Sequence, residues 1–281
     1  MLRSKALGAL SRLPPFSPIL NKLMATLAGE DVSFSALGEL IEKDTVVAGN
    51  LLRVVNSAMY ARRSTVNSVR HALSVLGLDK VRNTVLAMSI SRMMNQVRTP
   101  KNFSMERFNK HSAAVALLGD HLAQHVTVQY PEGAFVAGLL HDVGRLLIAL
   151  ALPDEYESIL RAYQHNDRTW LECEQERLGF THAEMSGEVL AAWKLPMEIQ
   201  DAAREHHLPP PAELERELRL GRVVDAANQY VNWTGESILA QQKGDGAGSA
   251  WVASLGMSQE TLEQVLADFE AEHKAMSQFY C

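Results

Sequence analysis

An all-α, multi-helical fold with an N-terminal helical subdomain follows from three features of the 281-residue chain. Apolar residues recur at helical spacing along most of its length. Alternating strand-like runs bounded by turn residues are scarce. Gly, Pro, Ser and Asp punctuate the periodic stretches at intervals that suit short helices. With 47% hydrophobic and 21% charged residues, the chain has material for a sizeable core, which excludes disorder.

After the break at Leu13-Pro14-Pro15-Phe16, helices are predicted over Pro18–Ala28, Phe34–Lys43, Val46–Ser57 and Val66–Leu76. A longer one, Leu78–Met94, follows Gly77 and carries Asp79 in its first turn, where a carboxylate favours the helix dipole. The Arg98–Ser104 segment around Pro100 divides an N-terminal helical subdomain, residues 1–103, from a second helical unit, residues 104–281. The second unit is predicted to hold helices over Met105–His125, Glu132–Leu150, Asp154–Gln164, Thr169–Leu178, His182–Trp193, Pro196–His206 and Ala212–Trp233. The polar stretch Gln241–Ser249 reads as a flexible loop. Ser258 is placed to cap a last helix, Gln259–Met276, whose Leu262, Val265, Leu266 and Phe269 lie at helical spacing.

Composition removes several function classes. No apolar run reaches the roughly 18 residues of a membrane helix. The opening stretch is broken by Arg3, Lys5, Arg12 and Pro14-Pro15 before a signal-peptide core can form, so a cytoplasmic protein is expected, without membrane contact. Cys173 and Cys281 are far apart and form no CxxC pair, which excludes a thiolate zinc or redox motif. The net charge of −6 is uneven: residues 51–110 carry 11 Lys/Arg against 2 Asp/Glu, and residues 111–281 carry 11 against 26. A basic segment attracts nucleotides, nucleic acid or an acidic protein surface, although most such runs are solvated helix faces.

The sharpest local feature is Ala137-Gly138-Leu139-Leu140-His141-Asp142-Val143-Gly144-Arg145, in which an imidazole and a carboxylate interrupt an apolar helix. Buried polar groups need partners, and a His-Asp pair at a helix bend can converge on one ion. Further donors lie in the same half: His111, His182, His206-His207 and Asp225. Imidazole with carboxylate suits Fe, Mn, Zn or Ni, and an open coordination position would support phosphoester hydrolysis. His111 shares a stripe with Val115, Leu118 and Leu122 and faces the core in either case, so a satisfied core histidine is the competing reading. His121 and His125 read as surface residues, and His71, His165 and His273 lie outside the cluster. Trp170 and Trp193 read as core.

The order His111, His141-Asp142, Asp225 resembles the H…HD…D ligand set of the HD superfamily of metal-dependent phosphohydrolases. Leu13-Pro14-Pro15, Leu40-Ile41-Glu42-Lys43-Asp44, the run from Leu51 to Tyr60 and Ala72-Leu73-Ser74-Val75-Leu76-Gly77 narrow the resemblance to HDOD, the HD-related output domain. It continues through Phe180-Thr181-His182-Ala183-Glu184, Trp193-Lys194-Leu195-Pro196 and His206-His207, covering about residues 13–210. The resemblance implies an HD-domain-like fold and a bacterial signalling module. Relation to the HD-GYP phosphodiesterases implies metal ligands at His111, His141, Asp142, His182, His206, His207 and Asp225. In catalysis, His141 and Asp142 would hold the metal and Arg145 would lie near the phosphate. Arg145 replaces the usual lysine, and Leu208-Pro209-Pro210-Pro211 replaces the segment ending Gly-Tyr-Pro, which argues against cyclic di-GMP hydrolysis.

Two functions are therefore expected to compete. One is a regulatory module that binds a signalling protein or a small phosphorylated ligand, with Arg53, Arg62, Arg63, Arg70 and Arg82 as the contact surface and self-association open. The other is a divalent-metal phosphohydrolase acting on a nucleotide or other phosphoester. Nucleic-acid binding is a weaker third reading, because the short helix pair over Phe34–Asn56 is of a kind common in helical domains.

Overall fold

The structure is a computed structural model that describes residues 1–27, 33–57, 65–165, 168–208, 216–239, 252 and 255–277. Among these residues there is no strand, and the one extended pairing is an isolated parallel bridge between Val128 and Leu218. Of the features predicted from sequence, Arg62, Arg63, the chain from 58 to 60, Pro209 to Pro211, the Gln241–Ser249 loop and Cys281 lie outside the described residues.

The N-terminal half contains α1 (Leu2–Gly8), α2 (Pro18–Leu27), α3 (Phe34–Glu42), α4 (Thr45–Val55), α5 (Val69–Leu76) and α6 (Leu78–Met94). Most of their starts are written in single residues. The side chains of Ser33, Asp44 and Ser68 accept hydrogen bonds from the first-turn backbone N–H groups of α3, α4 and α5, which otherwise lack intrahelical partners. Gly77, at φ +83°, makes the turn between α5 and α6 in a conformation that side-chain-bearing residues rarely adopt. Helix α1 and the 3₁₀ turn Ala9–Arg12 were not predicted; they pack on the second half of the molecule, a tertiary contact that local pattern does not encode.

The second half contains α7 (Met105–Ala123), α8 (Ala134–Leu140), α9 (Val143–Ala151), α10 (Pro153–His165), α11 (Trp170–Leu178), α12 (His182–Ala192), α13 (Met197–Glu205), α14 (Leu220–Trp233) and α15 (Gln259–Met276). Helix α7 packs against α8, α14 and α15, while α12 packs against α9 and α13. Helix α6 touches both α7 and α8 and joins the two halves through a nearly all-buried surface.

The expected single helix Glu132–Leu150 is instead a 3₁₀ turn, Pro131–Gly133, followed by two helices that break at His141-Asp142, where Asp142 takes φ −105° and ψ 12°. The stretch Pro131–Ala151 is long and apolar enough to cross a membrane, but 94% of its apolar window is buried inside the protein. Its composition is that of a core helix pair. Two glycines let this pair approach its neighbours. A Cβ on Gly138 would lie 2.7 Å from the Ala116 Cα of α7, and one on Gly144 would collide with the His182 carbonyl and stand 2.7 Å from the Ser186 nitrogen of α12.

A second polar junction ties α6, α7 and α15 together. His121 lies 2.9 Å from the buried Glu272 carboxylate, which also pairs with Lys80 at 3.4 Å. His121 is therefore a mostly buried bridge to α15 and not the surface residue expected from sequence. Beside it, burial pushes the Asp120 carboxyl up to about 6, with Glu272 and Asp79 adding to the rise and His121 and Arg82 opposing it. A carboxyl raised above its unfolded value keeps its proton longer in the native state, so its contribution to stability declines as pH rises between the two values, here from about 4 to 6. Asp120→Asn is expected to abolish that decline and to be more stable than wild type at pH 8 by roughly 1–2 kcal/mol, with no advantage at pH 4. Urea denaturation of both proteins at the two pH values measures it, and a pH-independent difference would rule it out.

Candidate metal centre

The break between α8 and α9 places His141 at the C-terminus of α8, where its Nδ1–H donates to the Gly138 carbonyl at 2.7 Å. His206 ends α13 in the same manner, with its Nδ1–H donating to the Ala203 carbonyl at 2.8 Å. His111, in the second turn of α7, donates from Nδ1 to the Glu236 carbonyl at 2.7 Å. A carbonyl can only accept, so each of these rings carries its proton on Nδ1 and leaves the Nε2 lone pair free when neutral.

His182 is fixed by a different device. Thr181 and Glu184 form a reciprocal capping box that starts α12 at His182. The first-turn N–H of His182 donates to Glu174 Oε2 at 2.8 Å, and its Nδ1–H donates to the same oxygen at 2.7 Å. Trp170 Nε1–H donates to the other Glu174 oxygen at 2.6 Å. Glu174 is thus a fully buried carboxylate with its acceptor capacity engaged, and it turns His182 Nε2 inward.

All four Nε2 atoms converge on Asp142. The distances to its Oδ2 are 3.4 Å from His141 and 3.9 Å from His111. Those to its Oδ1 are 3.0 Å from His182 and 3.7 Å from His206. His207 Nε2 lies 3.0 Å from His182 Nε2. Two sets of donor atoms are close enough to share an ion: His111, His141 and Asp142, and Asp142, His182, His206 and His207. His207 is partly buried; the other members are almost entirely enclosed.

The electrostatics favour a cation. Burial, reinforced by His141, lowers His111 to about 3, and burial lowers His206 to about 4. Burial together with His206 and His182 holds His207 well below the usual imidazole range. Burial opposes the charge on Asp142, but Arg145, His141 and His182 outweigh it and keep the carboxyl well below its usual range. Lone pairs on these imidazoles and a full charge on the carboxylate are the forms in which such groups bind metal. Nε2 of His141 and His206 are buried without a hydrogen-bond partner, as is Asp142 Oδ1 unless His182, 3.0 Å away, carries a second proton. Enclosed acceptors aimed at one volume are costly unless something satisfies them, and a divalent ion does so with this donor set.

Arg145 is also enclosed. Its Nε lies 3.0 Å from Asp142 Oδ2 and its guanidinium lies over the Trp170 ring, 5.2 Å from the centroid. Trp170 is core, as expected, but it also bounds the site. Asp225 is placed differently from the other predicted ligands. It is buried on α14, its Oδ1 accepts from Gln229 at 2.8 Å and its Oδ2 pairs with Arg222 at 3.1 Å. Among the described residues, neither donor set includes it. Its neighbours one turn away on the same helix engage the carboxylate. Burial, partly offset by these two partners, raises its carboxyl to about 6.

Glu174, Glu236 and Ser186 were not singled out from sequence. Glu236 contributes a main-chain carbonyl, which no residue type announces, and its side chain pairs with His273 of α15 at 3.0 Å. His273, read from sequence as lying apart, is thereby one residue removed from His111. Ser186 Oγ accepts from the Gly144 N–H at 2.9 Å and pins α9 to α12. Glu174 offered one clue, an acidic residue four positions after Trp170.

Two substitutions test this construction. Glu174→Ala leaves His182 and Trp170 donors buried without an acceptor and is expected to cost about 3–5 kcal/mol, the scale for breaking a buried charged network from one side. Glu174→Gln should cost less. Gly144→Ala should destabilise by more than about 3 kcal/mol, because the added carbon meets backbone and not a movable side-chain tip. Equilibrium unfolding reads both, and near-wild-type stability in either Ala variant would contradict the packing described.

A family model for the HDOD domain matches residues 13–209. The fold is similar to an HDOD domain protein of unknown function from Geobacter sulfurreducens, at TM-score 0.77 and 21% identity over 99% of this chain and 97% of that one. It is also similar to a Shewanella amazonensis protein provisionally named a phosphohydrolase, at TM-score 0.75 and 23% identity over 99% and 98% of the two chains. An uncharacterised protein of Treponema pallidum is 22% identical over 94% of this chain, which spans about half the length of that relative. At these identities the solved structures speak for the fold alone. The match over residues 13–209, a range that includes the N-terminal helices from α2 onward and the His-Asp centre, makes the chain a member of the HDOD domain family.

Proposed function

We propose that this chain is a bacterial signalling module whose buried His/Asp centre holds a divalent ion as an organising element, and that its output is recognition of a partner protein or a small phosphorylated signal. The observation that carries this reading is enclosure: His111, His141, Asp142, His182 and His206 are each no more than 2% exposed. A phosphoester must reach the ion it reacts at, and these five side chains are themselves closed to solvent, His207 being the partly exposed member of the donor set. An ion bound by the α8–α9 break, the start of α12 and the end of α13 would instead lock those elements together, as structural sites do. Exposed Arg53 and Arg70 remain the candidate contact surface, in line with the charge of their segment, whereas the Arg82 side chain is only 15% exposed and pairs with Asp79 at 3.3 Å.

The second reading, a metal-dependent phosphohydrolase, is favoured by His207. It is the partly exposed member of the donor set, and exposed Leu208 follows it, so it marks the side from which a substrate would arrive. On that reading an ion supplies Lewis acidity toward a phosphoryl oxygen. Asp142, His182, His206 and His207 would hold it, beside the second donor set of His111, His141 and Asp142, and the Nδ1 hydrogen bonds to Gly138, Glu174 and Ala203 would orient the rings.

Metal analysis of the purified protein, thermal melting with and without chelator, and a phosphoester panel separate the two. The module reading expects bound metal, a Tm lowered by chelation and no turnover that is lost in His141→Ala or Asp142→Ala. Turnover that both substitutions abolish would establish the hydrolase instead.

A further inference from the structure

The two oxygens of Asp142 do not face equivalent surroundings. Oδ1 faces His182 at 3.0 Å and His206 at 3.7 Å, the group that His207 completes. Oδ2 faces His141 at 3.4 Å and His111 at 3.9 Å, and on this side it also meets Arg145 Nε at 3.0 Å. The two donor sets share only Asp142, so a pair of ions would have to be bridged by this one carboxylate. One of its oxygens is already paired with a permanent cation.

Arg145 cannot readily leave. Its side chain is 6% exposed, the Trp170 ring lies against the guanidinium, and Asp142 and Glu174 are the buried negative charges near it. Nη1 is enclosed without a hydrogen-bond partner, so the side chain keeps its place for its charge and packing more than for a full set of hydrogen bonds. An ion held by His111, His141 and Oδ2 would sit against this guanidinium in a medium that screens like charges poorly.

We infer that Arg145 is the resident cation of the His111/His141 side and restricts the centre to a single divalent ion, held by Asp142 Oδ1, His182, His206 and His207. This rests on the metal reading above and specifies its stoichiometry. With one ion, the symmetric clamp on attacking and leaving oxygens that two-metal phosphoesterases use is absent, which agrees with a module more than with a hydrolase.

The test is titration of the metal-stripped full chain with Mn²⁺, followed by equilibrium dialysis and electron paramagnetic resonance. Wild type should saturate at one Mn²⁺ per chain with the spectrum of an isolated ion. Arg145→Met, which removes the charge and keeps the bulk apolar, should saturate at two with the spectrum of a spin-coupled pair. Two ions in wild type, or one in a folded Arg145→Met, overturns the assignment to Arg145 while leaving a metal centre in place. If Arg145→Met does not fold, two other substitutions in the wild-type background decide. His111→Ala should leave Mn²⁺ affinity within about threefold and His207→Ala should weaken it by roughly tenfold or more, the scale on which shell residues act; the reverse order overturns the proposal. Failure of wild type to bind Mn²⁺, Fe²⁺ or Zn²⁺ at all would remove the metal reading itself, a result distinct from a wrong ion count.

Discussion

The carboxylate of Asp142 is the constraint around which the second half of the protein is arranged. It sits where one helix would naturally have continued, between α8 and α9, and four imidazoles from α7, the end of α8, the start of α12 and the end of α13 point their Nε2 atoms at it. A buried carboxylate is unfavourable unless its surroundings stabilise the charge. Here the burial is deep, yet Arg145, His141 and His182 reverse its effect and the group stays ionised. The close helix approaches then follow: α8 must reach α7 through Gly138, and α9 must reach α12 through Gly144, for the rings to meet on one atom pair.

The devices that aim the rings differ in how visible they are in sequence. His141 and His206 each end a helix and bond back to the carbonyl three residues earlier, but only His206 stood at a predicted helix end, that of Pro196–His206. His182 lies inside a Thr-x-x-Glu capping box that can be read directly from Thr181 and Glu184. Glu174 and Glu236 were not legible. The first acts from another helix and the second through its main chain, so each depends on tertiary placement. Asp225 shows the converse: its position in the order of donors suggested a ligand, whereas Arg222 and Gln229, one turn to either side, occupy its oxygens.

The same division holds for the fold. Helix α6 coincided with its predicted bounds, Leu78–Met94, because Gly77 and Asp79 mark its start. The break at His141-Asp142 was hidden by uninterrupted apolar periodicity from Ala134 to Ala151, since nothing local distinguishes one long core helix from two. What breaks it is the convergence on Asp142, a non-local demand. Helix α1 was missed for a related reason: seven residues, Leu2–Gly8, are too few to be helical alone and gain their stability from α9 and α12.

Charge balance explains why so polar a cluster is tolerated in a core. The enclosed groups are two carboxylates, Asp142 and Glu174, and the permanent cation Arg145. Burial and Arg145 press His182 toward neutrality, but Glu174 and Asp142 outweigh them and raise its affinity for a proton, so the set can reach neutrality without external charge. That arrangement pairs Asp142 Oδ2 with the charge of Arg145 but leaves the Nε2 atoms of His141 and His206 without donors. An apolar core of equal volume would be at least as stable, so stability alone does not account for ring nitrogens left unpartnered and aimed at one carboxylate. A cation held as we propose would account for them.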